Sequence, residues 1–313
     1  MKAHTLLLTA GLLAIGPISA FAKIERVVEK TFTVQPGGWL KVETQGGDVR
    51  VRTSNDTTVK VVAKEQINAG SEGEADELLK NLTLTIEQSG EGVTATSKYE
   101  KTFSGFHWGS WPPVQVSFEV TVPTNYNVNL RTSGGDLTVD DLAGKVHART
   151  SGGNVVLGKI SGDIEAGTSG GDVKLVEGAA TVKLNTSGGN ISVERAVGAT
   201  DLDTSGGDIK IGSVENTLHA STSGGNVSAG IVGALKGDCV LGTSGGRVRV
   251  KVDKGAAFEL DASTSGGDVE ADGLTITIEH GGAGRSRLAG KVNGGGPLLR
   301  LRSSGGDIVV ETR

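Results

Sequence analysis

Residues 168–185 read TSGGDVKLVEGAATVKLN, and residues 186–203 read TSGGNISVERAVGATDLD. The opening five letters recur, with small changes, at Thr132, Thr150, Thr168, Thr186, Thr204 and Thr222, always 18 residues apart. They return at Thr243, Thr264 and Ser303 after insertions. A unit this small cannot bury a core alone, so a fixed short period implies coils stacked on one another. With the threonine as zero, positions +5 and +7 are apolar in every repeat, from Leu137 and Val139 through Val173 and Leu175 to Ile308 and Val310. Positions −4 and −2 are apolar in most repeats too, as in Val146 and Ala148, Val182 and Leu184, or Leu299 and Leu301. Their neighbours are mostly polar or charged, which is the period-two pattern of a half-buried strand.

Each unit therefore carries two inward-facing strands, joined by Ser-Gly-Gly at one corner and by a looser turn near Gly144, Gly162, Gly198 or Asn216 at the other. The corner glycines are expected to supply φ > 0 for a tight bend. Equivalent strands then lie side by side in parallel, about 4.8 Å apart. The expected fold is all-β: a parallel β-solenoid of about 18 residues per coil, right-handed by the default of parallel crossovers. A left-handed hexapeptide helix also uses 18 residues per coil, but it wants an apolar residue every six, whereas this chain alternates in twos.

Leu40 and Val42 before Thr44-Gln45-Gly46-Gly47-Asp48, and Val49 and Val51 after it, make a first coil. Around it, strands are expected over 28–34, 58–67, 82–88, 92–99 and 114–122, with a short helix over 74–82 capped by Ser71. Residues 23–125 thus form a β-rich cap, which a solenoid needs to protect its terminal edge, and residues 126–313 carry the repeats. The glycine-rich stretch 281–296 reads as a loop between repeats.

Fifty glycines among 313 residues would suit low complexity, but a 36% hydrophobic fraction that is strictly patterned marks a folding chain. Lys2, the apolar run from Leu6 to Ile18 and Ala20-Phe21-Ala22 make residues 1–22 a secretory signal. The product is expected in the periplasm, at the cell surface or secreted. No later stretch approaches the roughly 18 apolar residues of a membrane span. Losing Lys2 with the signal moves the net charge from −5 by one unit to −6, so nucleic acid is a poor partner. The single cysteine, Cys239, excludes an internal disulfide and an all-cysteine metal site. Its inward position reads as a small core hydrophobe.

The column after Gly-Gly runs Asp136, Asn154, Asp172, Asn190, Asp208, Asn226, Arg247, Asp268, Asp307. Adjacent carboxylates about 4.8 Å apart would repel by roughly 3 to 4 kcal/mol at an effective dielectric near 20. Alternation with asparagine reads as a structural ladder in which each amide donates to a neighbouring carboxylate, with Arg247 between Asn226 and Asp268. Calcium along the column is the competing reading, but the Gly-Gly-x-Gly-x-Asp motif of calcium rolls is absent. His147 and His219 share an outward column four coils, about 19 Å, apart, so they share no metal. Each faces an acid in the neighbouring coil, Glu165 and Asp201, as a surface ion pair. No metal, cofactor or catalytic residue is expected. Asp136 and Asp172 have roughly the separation of inverting-glycosidase carboxylates, but the same pair recurs two coils on, and a catalytic site is singular. A polysaccharide lyase or hydrolase on this scaffold remains the alternative to a binding protein.

Phe103, Phe106, His107, Trp108 and Trp111, followed by Pro112-Pro113, break the pattern. Clustered aromatics of this kind suit sugar stacking or a protein hot spot. They also suit a plug that folds back over the open end of the solenoid. Phe103, Phe106, Trp108 and Trp111 are the candidate ligand-binding residues.

The export signal, the N-terminal Gly-Gly-Asp coil, the TSGG(D/N) repeats and the closing VNGGGPLLRLRSSGGDIVVE stretch together resemble a bacterial domain-of-unknown-function family labelled "putative adhesin", related to head domains of auto-transporter adhesins. The resemblance implies a non-enzymatic protein, adhesin-like in binding or structural in the cell envelope, with a glycan or an envelope or surface protein as partner. It assigns no roles to individual residues.

Overall fold

The computed structural model describes residues 23–100, 112–278 and 283–313. The expected signal and the aromatic residues Phe103, Phe106, Trp108 and Trp111 lie outside the described residues. Alternating apolar positions fold into two facing sheets, of 13 and 15 strands among the described residues. Through the repeats, strands pair in parallel with the equivalent residue of the next coil: Val155 with Val173 and Val173 with Ile191 on one sheet, Ile164 with Val182 on the other. Val173, Leu175, Val182 and Leu184 are at most 1% exposed, and the inward side chains form one cluster from Val34 to Val310. Val269 and Ala271, expected inside, are only half-buried, because Val269–Asp272 is the outermost strand of its sheet.

The corner threonine explains the repeated pentapeptide. Thr150 Oγ1 donates to the carbonyl of Gly135 in the preceding coil at 2.9 Å and accepts from the N–H of Gly153 at 3.3 Å. Thr168, Thr204 and Thr222 repeat the arrangement. Each buried hydroxyl is thereby satisfied. The expected left-handed glycines are not there, since among the described glycines positive φ falls at Gly37, Gly90, Gly233, Gly273, Gly294 and Gly295. The second corner glycine is required by contact instead. A Cβ on Gly153 would stand 2.0 Å from the Gly135 oxygen, whereas one on Gly152 would meet nothing closer than 3.5 Å.

Stacking order departs from chain order at both ends. The coil made by Trp39–Glu43 and Val49–Ser54 lies between Asn127–Arg131 with Leu137–Val139 on one side and Gly92–Tyr99 with Val114–Pro123 on the other. At the far end, Leu298–Ser303 and Ile308–Thr312 are inserted between Cys239–Thr243 with Val248–Val252 and Phe258–Thr264 with Val269–Asp272. Arg247 therefore neighbours Asp307 and not Asp268.

Among the described residues, three of the four sheet edges are covered by antiparallel strands, the exception being Val269–Asp272. Lys23–Thr33 pairs with Thr58–Asn68, which pairs with Val114–Pro123, and Leu82–Ser89 pairs with Gly92–Tyr99. The stretch 281–296, read as a loop, instead contains the strand Arg287–Val292, antiparallel to Phe258–Thr264. It closes an edge that would otherwise pair with another chain. The helix spans Glu72–Leu79 rather than 74–82, with the Ser71 side chain accepting from the Glu74 N–H and acids in its first turn.

Candidate functional site

Trp39 starts an inner-coil strand whose next residue, Leu40, points inward, so the indole faces out. It is 42% exposed. Its register partner on one side is Gly92, and a Cβ there would lie 2.0 Å from Trp39 Cε2 and 2.3 Å from Cδ2. Glycine at 92 therefore lets the ring rest on the backbone of the next strand, with the indole partly exposed. The turn before it is fixed from beneath. Buried Tyr126 donates to the Glu91 carbonyl at 2.8 Å, and the Asn127 amide donates to the carbonyls of Gly37 and Gly38 at 3.1 and 3.2 Å.

From Trp39 an open groove of about 730 Å³ crosses the outer face of the 15-stranded sheet. Its floor is a register column of Lys41, Asn129, His147, Glu165 and Lys183. Five strands at about 4.8 Å spacing give a length near 19 Å. Its carboxylates are paired: Asp163 with Lys145 at 2.9 Å, and Glu165 with His147 Nδ1 at 3.4 Å and with Arg149. The Arg149 hydrogen bond is the chief force holding the Glu165 carboxyl below its usual range, and Lys145 does the same for Asp163.

Along the ladder, the backbone N–H of each residue donates to the side-chain oxygen before it: Asn154 to Asp136 at 2.7 Å, Asp172 to Asn154 at 2.9 Å, Asn190 to Asp172 at 2.8 Å, Asp208 to Asn190 at 2.8 Å, Asn226 to Asp208 at 2.7 Å. The asparagine amides add bonds to Asp136, Asp172 and Asp208 at 3.2 to 3.3 Å. Arg247 N–H donates to Asn226, and its guanidinium pairs with Asp307. Asp268 N–H donates to Asp307 at 3.2 Å, and the Asp268 carboxylate pairs with Arg285. Asp136, Asp172 and Asp208 thus each use one carboxylate oxygen, Oδ1, to hold the next coil. Cys239 is buried, and burial pushes its thiol up, away from nucleophilic chemistry.

Trp39 and the groove it heads escaped the sequence reading. The signal was a tryptophan beside an inward pair, but its meaning depends on pairing with Gly92, which no repeat specifies. No helix among the described residues is long and apolar enough to cross a membrane.

No curated protein is significantly similar to the chain in sequence. Among solved structures, a "putative adhesin" from Bacteroides fragilis is 11% identical, with 92% of this chain and 97% of that chain covered and a TM-score of 0.40. One from Parabacteroides merdae is 12% identical over 92% and 97%, with a TM-score of 0.41. A "putative lipid binding protein" from Parabacteroides distasonis is 13% identical over 91% and 96%, with a TM-score of 0.37. Residues 38–311 match a single protein family across nearly all of the two-sheet stack, and the chain belongs to that family, Toastrack DUF4097.

Proposed function

We propose that the protein is an exported, non-enzymatic β-solenoid that acts at the cell envelope or surface as an adhesin-like binder, taking an extended glycan along the groove headed by Trp39. The observation that carries this reading is the outward-facing, partly exposed indole resting on Gly92 at the head of the groove. A flat aromatic beside closely spaced polar rungs offers a sugar both a stacking surface and hydrogen-bond partners. Phe103, Phe106, Trp108 and Trp111, in the segment that joins Gly92–Tyr99 to Val114–Pro123, serve in this reading as a second contact.

Binding is favoured over hydrolysis by the groove's carboxylates. A glycosidase general acid needs a raised pKa, and both Asp163 and Glu165 are held low by bonded cations. Incubation with a panel of envelope and extracellular glycans, following retention together with new reducing or unsaturated ends, tests the reading. Retention without new ends is expected. Accumulating ends would establish a polysaccharide-active enzyme instead.

A further inference from the structure

Beyond Lys183 the same outer column continues to Asp201 and His219. The strand Thr200–Thr204 buries Thr200, Leu202 and Thr204, which turns Asp201 and Asp203 outward together. His219 stands directly across from Asp201 on the next strand. One oxygen from each carboxylate and one imidazole nitrogen all lie within 4.8 Å of one another. The expected His219–Asp201 ion pair is not closed. Among the described residues, no lysine, arginine or histidine reaches salt-bridge distance of Asp201 or Asp203.

Other acids of this column are compensated. Glu165 is met by Arg149 and His147, and Asp261 by Arg302 and Arg300. Around Asp203 the flanking positions are Asn185 and Ser221, neither charged, and Lys183 is the register neighbour of Asp201. Two like charges therefore share a face with no bonded cation between them, beside a nitrogen donor.

We propose that Asp201, Asp203 and His219 bind a divalent first-row transition-metal ion on the outer face of the 15-stranded sheet. Two carboxylate oxygens and one imidazole suit the manganese-to-zinc series better than calcium or magnesium, which favour all-oxygen cages. Three protein ligands on an open surface leave coordination positions for water or an exogenous oxygen. The ion would sit just past the Lys183 end of the groove. Its binding does not depend on what the groove holds.

The test is a titration of the chelator-stripped full chain with cobalt(II) chloride, followed by visible absorption, with zinc chloride in competition. One saturable equivalent is expected, displaced by zinc. Asp203→Asn and His219→Gln should each weaken it tenfold or more, while His147→Gln leaves it unchanged. All three side chains lie on the outer face, so the variants should melt like the parent in the absence of metal, and His219→Gln alone decides the matter should Asp203→Asn fold poorly. No saturable binding, or binding that survives both Asp203→Asn and His219→Gln, would overturn the site.

Discussion

Arg247 donates from Nη2 to Asp307 Oδ2 across 2.9 Å, joining residues 60 positions apart in the chain. The contact exists because the last coil is inserted beside Val248–Val252 instead of stacking after Val269–Asp272. Arg247→Asp would set a carboxylate beside Asp307 at the column's break. The urea midpoint should fall, and fall further in low salt than in high salt, since exposed charges are screened. A salt-independent change would show that packing, not charge, is at stake.

The same inserted coil is tied on the opposite sheet by Asp261, which meets Arg302 and Arg300. The Arg302 hydrogen bond above all depresses the Asp261 carboxyl. A group with a depressed folded pKa contributes stability that is present above its unfolded value and lost as pH falls through the folded one. Acid titration from the ordinary aspartate range downwards should therefore loosen the C-terminal coils first. Asp261→Asn should flatten that part of the pH–stability curve, as hydrogen exchange of the Leu298–Ser303 amides would report.

Leu184 is fully buried between facing sheets. Leu184→Ala should cost about 2 to 5 kcal/mol in chemical denaturation, the range for a core leucine whose site relaxes only in part.

The two corner glycines should behave differently. Gly153→Ala forces a Cβ to within 2.0 Å of a backbone oxygen in the preceding coil, while Gly152→Ala makes an ordinary contact. The first should destabilise by about 1 to 3 kcal/mol or more, and the second should be close to neutral. Equal costs in thermal melts would point to a shared conformational demand rather than to coil spacing.

The repeats made the core legible because a period of two within a period of 18 fixes which side chains face inward, as Val173 and Leu184 show. Coil order at the ends was not legible. The units at Thr243, Thr264 and Ser303 carry equivalent patterns, so alternation is satisfied whichever neighbour each one takes, and only the register distinguishes them. Trp39 resting on Gly92 was hidden for a related reason, since Gly92–Tyr99 lies outside the repeat and its pairing with Trp39–Glu43 is set by the tertiary fold. Asp203 was missed beside His219 because it belongs to a different outward column, and the two meet only on the diagonal.

Fluorescence of a chain in which Trp39 is the sole tryptophan, made by Trp108→Phe and Trp111→Phe, tests the proposed groove most directly. Titration with the retained glycan should quench or blue-shift the emission in step with binding, and adding Trp39→Ala should abolish retention while leaving the melting temperature nearly unchanged. Retention that survives Trp39→Ala but is lost in the Trp108→Ala, Trp111→Ala double variant would contradict the groove and place binding at the second aromatic segment.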